Sequence, residues 1–225
     1  MDEDLRSLVV RAKACGAVAI YEASTTARIL SAGIRPVSPA AGVCGQALTV
    51  DCPPGDNLWL HLAVANAEDG DVIVATVNGA EAFGYWGEVL SRAADARGVA
   101  GLILDGCVRD GASLGDSGPA VFSPGLCMRT TSKSAVGAGR LGVPIALGGA
   151  EVQPGDVIVA DVDGIVAVDQ AEFAAVVRRA EDRVKKEALM MMRLGQGETT
   201  VSLMDLPAPP GYGPTGARLS AEVGG

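Results

Sequence analysis

The sequence predicts an α/β fold in a single domain, with a mixed β-sheet flanked by helices. Two stretches indicate this. Between residues 72 and 104, an apolar, an amphipathic and a second apolar segment follow one another, which is the order of a parallel strand–helix–strand crossover. Between residues 143 and 168, short β-branched segments are separated by Gly, Pro and Asp, a spacing typical of antiparallel hairpins. A sheet with both kinds of pairing is mixed.

The N-terminal third is predicted to alternate helices with a strand. Apolar residues at helical spacing predict a helix from Asp4 to Ala14, and a second helix is expected over Ser24–Ala32. Gln46–Asp51 is expected to form a short strand. After a Pro-Pro-Gly turn, Asp56 is well placed to cap a helix over residues 57–67.

The later elements follow from the same periodicities. They are strands over Val72–Val77, Val99–Leu104, Val143–Leu147, Val157–Ala160 and Ile165–Val168, and helices over Gly87–Arg97 and Gln170–Leu194. We expect residues 1–206 to form the domain. Residues 207–225, rich in Pro and Gly, are expected to form a tail.

Charge and composition exclude several classes of function. A formal net charge of −9 disfavours nucleic acid as a partner. No stretch approaches the roughly 18 apolar residues of a membrane span. The acidic N-terminus differs from a signal peptide, so we expect a cytoplasmic protein. His61 is the only histidine, and the five cysteines form no CxxC pair, which argues against multi-histidine, zinc and disulfide sites.

A helix N-terminus suited to a small carboxylate is predicted at residue 87. Gly87 and Glu88 open the predicted helix, so the free N–H groups of Glu88, Val89 and Leu90 face a common point. The helix dipole gives that point positive character, which favours a bound anion.

The next predicted strand leads into Arg109 and Asp110. Ligands of α/β proteins bind at the carboxyl ends of parallel strands, and the crossover returns the chain to the neighbourhood of Glu88. Arg109 offers a planar fork for a carboxylate or a 2-oxo oxygen. Asp110 offers a hard oxygen ligand for Mg²⁺ or Mn²⁺, and Glu88 could hold a water as a base. An ordinary surface Arg–Asp pair is the alternative that spacing alone leaves open.

The same residues carry a resemblance to a known family. GEVL at residues 87–90 and ARGVAGLILDGCVRD at 96–110 resemble the RraA-like family, which includes the 4-hydroxy-4-methyl-2-oxoglutarate/4-carboxy-4-hydroxy-2-oxoadipate aldolases. The likeness continues through GDNL at 55–58 with His61, GVPI at 142–145, VQPGDVIVAD at 152–161 and DGIV at 163–166. It covers roughly residues 15–206.

The resemblance implies a class II pyruvate aldolase that depends on Mg²⁺ or Mn²⁺ and cleaves small 2-oxo acids. It also implies a swivelling β/β/α sandwich assembled as a homotrimer or a hexamer. The residue that matches Arg109 binds the pyruvyl group and stabilises its enolate, and the one that matches Asp110 ligates the metal. Glu88 matches an acid that orients water at the metal. By the same resemblance, the backbone at Gly87, Val89 and Leu90 is expected to bind the pyruvate carboxylate.

Two further positions follow from the resemblance. A glutamate of the family's C-terminal helix reaches the site of a neighbouring subunit, and Glu187 is the candidate, with Glu181 and Glu198 nearby. The aldolases tend to carry an acid three residues after the metal aspartate, where this chain has Ser113. Asp116, one turn further on, is a possible substitute, and the departure bears on the identity of the substrate.

Other residues and functions stay open at this point. His61 is expected to have a structural or partner-contact role, and Tyr85 and Trp86 are expected to line the pocket or to pack the loop or a subunit interface. Residues 129–133 are expected to form a solvated loop, with binding of phosphate or a distal carboxylate as the alternative. Oxaloacetate decarboxylation is expected as a side activity, because it passes through the same enolate. One alternative is a non-catalytic regulator of an endoribonuclease, although such RraA-like proteins tend to lack the aspartate at position 110. Another is a recruited family member that acts on a different 2-oxo acid.

Overall fold

A computed structural model describes residues 3–37, 42–114, 118–136 and 138–218. The helices are α1 Glu3–Cys15, α2 Ala17–Glu22, α3 Leu58–Asn66, α4 Glu88–Asp95, α5 Gly111–Leu114, α6 Gln170–Gly195 and α7 Thr200–Leu203. The strands are β1 Arg28–Ile29, β2 Arg35–Pro36, β3 Val43–Asp51, β4 Val72–Thr76, β5 Gly101–Leu104, β6 Ala120–Ser123, β7 Arg140–Leu141, β8 Ile145–Leu147, β9 Ala150–Val152, β10 Val157–Ala160 and β11 Ile165–Val168.

A mixed sheet runs in the order β1-β11-β10-β3-β4-β5-β6-β2, with β7 also paired to β3. The nine-residue strand β3 joins its two halves. Residues 43–46 pair antiparallel with β10, and residues 47–51 pair parallel with β4. The predicted crossover is confirmed, because β4 and β5 are parallel neighbours on either side of α4 in the chain. The hairpin β10–β11 is antiparallel, as predicted, whereas β8 pairs antiparallel with β9, a strand that the sequence did not predict.

Alternating side chains divide the core into layers. In β4, Val72 and Val74 face a cluster shared with Ile158 and Ala167 of the other half of the sheet, so the curled sheet packs on itself. Ile73 of the same strand faces the opposite cluster, which α3 and α4 cover. A third cluster lies between β10, β11 and the helices α1, α2 and the first part of α6. The predicted α/β architecture, a mixed sheet flanked by helices, is confirmed.

The chain forms two compact units, Met1–Glu181 and Asp182–Gly225. The first contains the whole sheet and the helices α1 to α5. The second contains the last part of α6, followed by α7. The division at residue 206 stays a prediction. No helix within the described ranges is long and apolar enough to cross a membrane.

The helix expected over Ser24–Ala32 is wrong. The second helix of the chain, α2, lies before this segment. The hydroxyl of Ser24 accepts hydrogen bonds from the N–H groups of Thr26 (3.2 Å) and Ala27 (3.0 Å), which form a turn. Arg28 and Ile29 then pair with β11 as an edge strand. The strands β6 and β9 were not predicted either, because each is short and owes its pairing to a neighbouring strand.

Candidate active site

Three loop segments lie side by side beyond β5 and hold Arg109 in place. The N–H of Arg109 donates to the carbonyl of Trp86 at 2.8 Å, just before α4. The N–H of Val108 donates to Gly125 at 3.0 Å, and the carbonyl of Val108 accepts from Cys127 at 2.8 Å. These strand-like contacts bring the segment after β5 against the start of α4 and against the segment after β6. The contact with the start of α4 is the one that the crossover predicted.

Asp110 joins the end of this segment to the N-terminus of α4. Its backbone has a φ of 58°, a left-handed conformation that Asp tolerates better than most residues. Its Oδ2 accepts the N–H of Glu88 at 3.1 Å and lies 3.7 Å from Nε of Arg109. Both Asp110 and Arg109 are about half exposed, so the structure brings the three predicted residues together at an accessible surface.

Gly87 is needed at this junction for space. A Cβ at position 87 would lie 2.5 Å from Oδ2 of Asp110 and 3.0 Å from Cγ of Arg109. Its φ of −158° is extended backbone that any residue adopts, so only the missing side chain matters. Gly84 is also needed for space, because a Cβ there would clash with the carbonyl oxygen of Cys127 and would lie 3.1 Å from Cβ of Arg109. The two glycines therefore allow the Arg109 side chain to lie against the backbone.

The first turn of α4 leaves two donors available. The N–H of Glu88 is bonded to Asp110, and that of Ser91 donates to Gly87 at 3.0 Å. The N–H groups of Val89 and Leu90 have no hydrogen-bond acceptor among the described residues. Both residues line a cavity of about 150 Å³ that Arg109 also lines. Two free amides and a guanidinium around one small cavity match the requirements of a carboxylate.

His61 and Lys133 also line this cavity, which the sequence did not predict. The backbone of Asn57 donates to the carbonyl of Ser132 at 3.1 Å, and the Ser132 N–H donates to Gly55 at 2.8 Å. This pairing sets Lys133 beside the first turn of α3, where His61 lies. Residues 129–133 were expected to form a solvated loop, and Lys133 is exposed, but it also lines the small cavity. The presence of GDNL and His61 among the residues that resemble the family was the signal in the sequence that could have placed His61 at the site.

His61 is a neutral imidazole in this setting. Burial lowers the pKa of His61, and the positive charge of Lys133 lowers it further. An imidazole that stays unprotonated near neutral pH can both donate and accept a hydrogen bond. The positive charge of the cavity therefore comes from Arg109 and Lys133.

The aromatic pair before α4 packs the loop. Tyr85 and Trp86 are fully buried, although Tyr85 also contributes to the wall of the small cavity. The Tyr85 hydroxyl donates to Ala80 at 2.7 Å, and the Trp86 indole N–H donates to Ser91 at 2.8 Å. The buried amide of Asn57 donates to the carbonyl of Tyr85 at 2.7 Å. These bonds tie the loop to α3 and α4 and stabilise the cavity behind it.

Glu88 projects toward α5. Its carboxylate accepts from Nε of Arg92 at 2.9 Å, and hydrogen bonds from Arg92 and then from Ser113 lower the pKa of Glu88. Glu88 is thus ionised at neutral pH and acts better as a hydrogen-bond acceptor for water than as a strong base. Ser113 stands beside it, so an acid at position 113 would form a carboxylate pair with Glu88. Asp116 lies outside the described residues.

The donor set suits a hard cation. Within the described part of the chain, no group of three or more His, Cys, Asp or Glu residues could hold a metal ion. All five cysteines are free thiols. Asp110 with Glu88 nearby fits Mg²⁺ or Mn²⁺, which bind proteins through one or two carboxylates and complete their shell with water and substrate. It does not fit a structural zinc site.

The candidate acids of the C-terminal region are engaged in ion pairs. Glu181, in the first unit, binds Arg11 through two hydrogen bonds of 2.8 and 2.7 Å. In the second unit, Glu187 lies 2.9 Å from Arg183 and is about half exposed. Glu198 pairs with Arg193 at 2.6 Å. The contribution of Glu187 to a neighbouring subunit stays a prediction.

We expect Gly87→Ala to reduce kcat/KM at least about tenfold without unfolding the protein. The added methyl group would displace the Asp110 carboxylate and Arg109, and misplacement of such groups is costly to catalysis. Gly164→Ala is the matched control, because a Cβ there meets nothing within 4 Å and its φ is not left-handed. Steady-state kinetics and thermal unfolding of both variants check this. Equal activity of the two variants would show that Gly87 has no special function.

Known proteins resemble this chain in sequence and in fold. The family model described as RraA-like: Aldolase/RraA matches residues 12–167. A Halalkalibacterium halodurans protein named "Putative 4-hydroxy-4-methyl-2-oxoglutarate aldolase" is 33% identical over 159 residues, 71% of this chain and 73% of its own length. An uncharacterized Pseudomonas syringae pv. tomato protein has a similar structure, with a TM-score of 0.77, 26% identity and coverage of 89% and 92%. Streptomyces coelicolor RraAS2 is described as an unusual member of the RNase ES inhibitor RraA protein family. Its structure matches with a TM-score of 0.71 and 26% identity, over 83% of this chain and 98% of its own.

Proposed function

Because the chain belongs to the RraA-like family, we propose that it is a carbon–carbon lyase, a divalent-metal-dependent (class II) pyruvate aldolase that cleaves 4-hydroxy-2-oxo acids. One observation carries the proposal: Arg109 lines the small cavity together with Val89 and Leu90, whose N–H groups have no acceptor among the described residues, and lies 3.7 Å from the Asp110 carboxylate. This combination can bind a 2-oxo acid and stabilise negative charge on its oxo oxygen.

Binding follows from the positions of the donors. The 1-carboxylate of the substrate accepts hydrogen bonds from Val89 and Leu90 at the positive end of α4. Arg109 spans this carboxylate and the 2-oxo oxygen with its planar fork. Lys133 adds positive charge at the same cavity, and His61 adds a neutral donor or acceptor. The 2-oxo acid is thus oriented with its C3–C4 bond toward Asp110 and the solvent side.

The proposed cleavage is a retro-aldol reaction, which needs no oxidant or reductant. The 4-hydroxyl loses its proton, the C3–C4 bond breaks, and C4 leaves as the carbonyl carbon of the second product. The electron pair moves into the C2–C3 bond, which gives the enolate of pyruvate, and C3 is then protonated. Arg109 stabilises the charge on the enolate oxygen. Glu88, ionised and hydrogen-bonded, orients the water that carries the proton.

Asp110 is the residue that would hold Mg²⁺ or Mn²⁺, and the cation would supply further positive charge for the enolate. Loss of CO₂ from oxaloacetate produces the same enolate, so oxaloacetate decarboxylation is the proposed side activity. We further propose a homotrimer or hexamer in which Glu187 reaches a neighbouring site. A solution mass equal to one chain, from light scattering of the active protein, would contradict this last part.

The proposal is tested by pyruvate release from a panel of 4-hydroxy-2-oxo acids and from oxaloacetate, in the presence of Mg²⁺. Coupling to lactate dehydrogenase reports pyruvate as loss of NADH. We expect pyruvate release from at least one 4-hydroxy-2-oxo acid and from oxaloacetate. Absence of pyruvate from every compound tested, by a folded protein supplied with Mg²⁺ or Mn²⁺, would refute the aldolase function.

The structural similarity to Streptomyces coelicolor RraAS2, a member of the RNase ES inhibitor RraA protein family, supports a second candidate function, a protein regulator of an endoribonuclease. Asp110 distinguishes the two, because a regulator that acts through its surface has no need of a metal ligand beside Arg109. Addition of the chain to an assay of RNase ES activity tests the second function. Inhibition that Asp110→Asn leaves intact, together with absent pyruvate release, would favour the regulator.

A further inference from the structure

We propose that the distal part of the substrate, beyond C4, is apolar and is bound by Leu126, Cys127 and Met128. This inference rests on the proposed function and names its substrate class. A second cavity, of about 610 Å³, is lined by these three residues together with Arg109 and Asp110. Because Arg109 lines both cavities, a 2-oxo acid held in the small one would extend its C4 substituent into the large one.

The backbone sets the three residues along the site. Leu126 pairs with Val108 in a parallel bridge, so the segment from Leu126 onward runs beside Arg109 and Asp110. The Leu126 side chain packs over Gly111, the residue after Asp110, where a Cβ would lie 2.8 Å from Cδ1 of Leu126. An apolar side chain thus stands directly next to the proposed metal ligand.

These side chains are unusually exposed for their type. Met128 is 91% exposed and Leu126 is 63% exposed. Exposed apolar groups around a concave site are the feature of a binding surface, and a free thiol such as that of Cys127 behaves as a small apolar group. A substrate with an apolar distal group would remove this surface from water, whereas a carboxylate would have to be partly desolvated against it.

The cations near this site are placed elsewhere. Arg129 follows Met128 in sequence, but its guanidinium carbon lies 5.1 Å from the centroid of the Phe83 ring, in a cation–π contact. Lys133 lines the small cavity, and Arg92 is bound to Glu88. Arg109 is committed to the pyruvyl end in the proposed mechanism. Apart from Arg109, which binds the pyruvyl end, and a metal ion held by Asp110, the described residues that line the large cavity include no cation for a second carboxylate beyond C4.

The size of the cavity supports a substituent larger than a methyl group. At about 610 Å³ it falls in the range of ordinary small-molecule pockets, far above the small cavity of about 150 Å³. The substrate class is therefore a 4-hydroxy-2-oxo acid with a branched alkyl or aryl group beyond C4, in contrast to the distal carboxylate of 4-hydroxy-4-methyl-2-oxoglutarate.

The test compares two substrates of similar shape with the native protein and Mg²⁺. In 4-hydroxy-6-methyl-2-oxoheptanoate an isopropyl group replaces the distal carboxylate of 4-hydroxy-2-oxoadipate. We expect kcat/KM to favour the isopropyl compound at least about tenfold, the scale of discrimination by a hydrophobic pocket. Met128→Arg should shift this ratio at least about tenfold toward the dicarboxylate, since it provides the missing cation.

Val136→Arg is the matched control, because Val136 is 94% exposed and is not one of the residues that line either cavity. It should leave the ratio unchanged. Oxaloacetate decarboxylation in the same samples separates the two claims. If oxaloacetate yields pyruvate but the dicarboxylate and the isopropyl compound are cleaved with equal kcat/KM, the apolar subsite is overturned and the lyase function stands. A Met128→Arg protein that changes oligomeric mass and not selectivity would also overturn it, in favour of an interface. Absence of pyruvate from every compound would overturn both the lyase function and the apolar subsite.

Discussion

Removal of divalent metal with EDTA is expected to abolish pyruvate formation, and Mg²⁺ or Mn²⁺ is expected to restore it. Asp110 is the carboxylate beside Arg109, and a divalent cation held there would add to the positive charge of Arg109 and Lys133 that stabilises the enolate. Asp110→Asn should lower kcat/KM at least about 10²-fold, because an uncharged amide oxygen binds Mg²⁺ more weakly than a carboxylate does. Its side-chain oxygen can still accept the Glu88 N–H, so the local fold should persist.

The measurement is pyruvate release by metal-stripped protein, followed by titration with each cation, with circular dichroism as the control for folding. An amine-based mechanism makes the opposite prediction. Lys133 lines the cavity and is the residue that would form a Schiff base in that case. Full turnover in a metal-stripped sample, with borohydride trapping of substrate on Lys133, would replace the class II mechanism by a class I mechanism.

Arg109→Lys is expected to be nearly as damaging as Arg109→Ala, with a loss of at least about 10²-fold in kcat/KM. Lysine keeps the charge but not the planar fork that spans the carboxylate and the 2-oxo oxygen. The loss expected is that of a missing oxyanion donor. Gly84 and Gly87 shape the surface on which the Arg109 side chain lies, so a shorter or differently branched side chain would leave its head group displaced.

Arg6→Lys is the control for this change, because Arg6 forms an exposed ion pair with Asp69 at 2.9 Å and such pairs contribute little. It should keep native kinetics. Steady-state kinetics on oxaloacetate and on the preferred 4-hydroxy-2-oxo acid provide the comparison. Near-native kcat/KM for the lysine variant of Arg109 would show that its charge alone is sufficient, and the bidentate model would have to be abandoned.

Part of the site was predictable because its elements are local. Glu88 opens a helix, Arg109 and Asp110 follow the next strand, and a parallel crossover brings those two points together. His61 and Lys133 were out of reach of this reasoning. Lys133 lies in a loop of ordinary composition, and it enters the cavity because Ser132 pairs with the segment from Gly55 to Asn57, far away in the sequence.

Most of the helices, the longer strands, the mixed pairing and the neighbourhood of Arg109 could be predicted from the sequence. Hydrophobic periodicity and crossover geometry are properties of short segments and of the connections between them. The turn and edge strand within residues 24–32, and the position of Leu126 and Met128 beside Asp110, were not predictable in this way and appear only in the folded chain. These features depend on pairings between distant segments, whose energies exceed the weak local preferences of the residues involved.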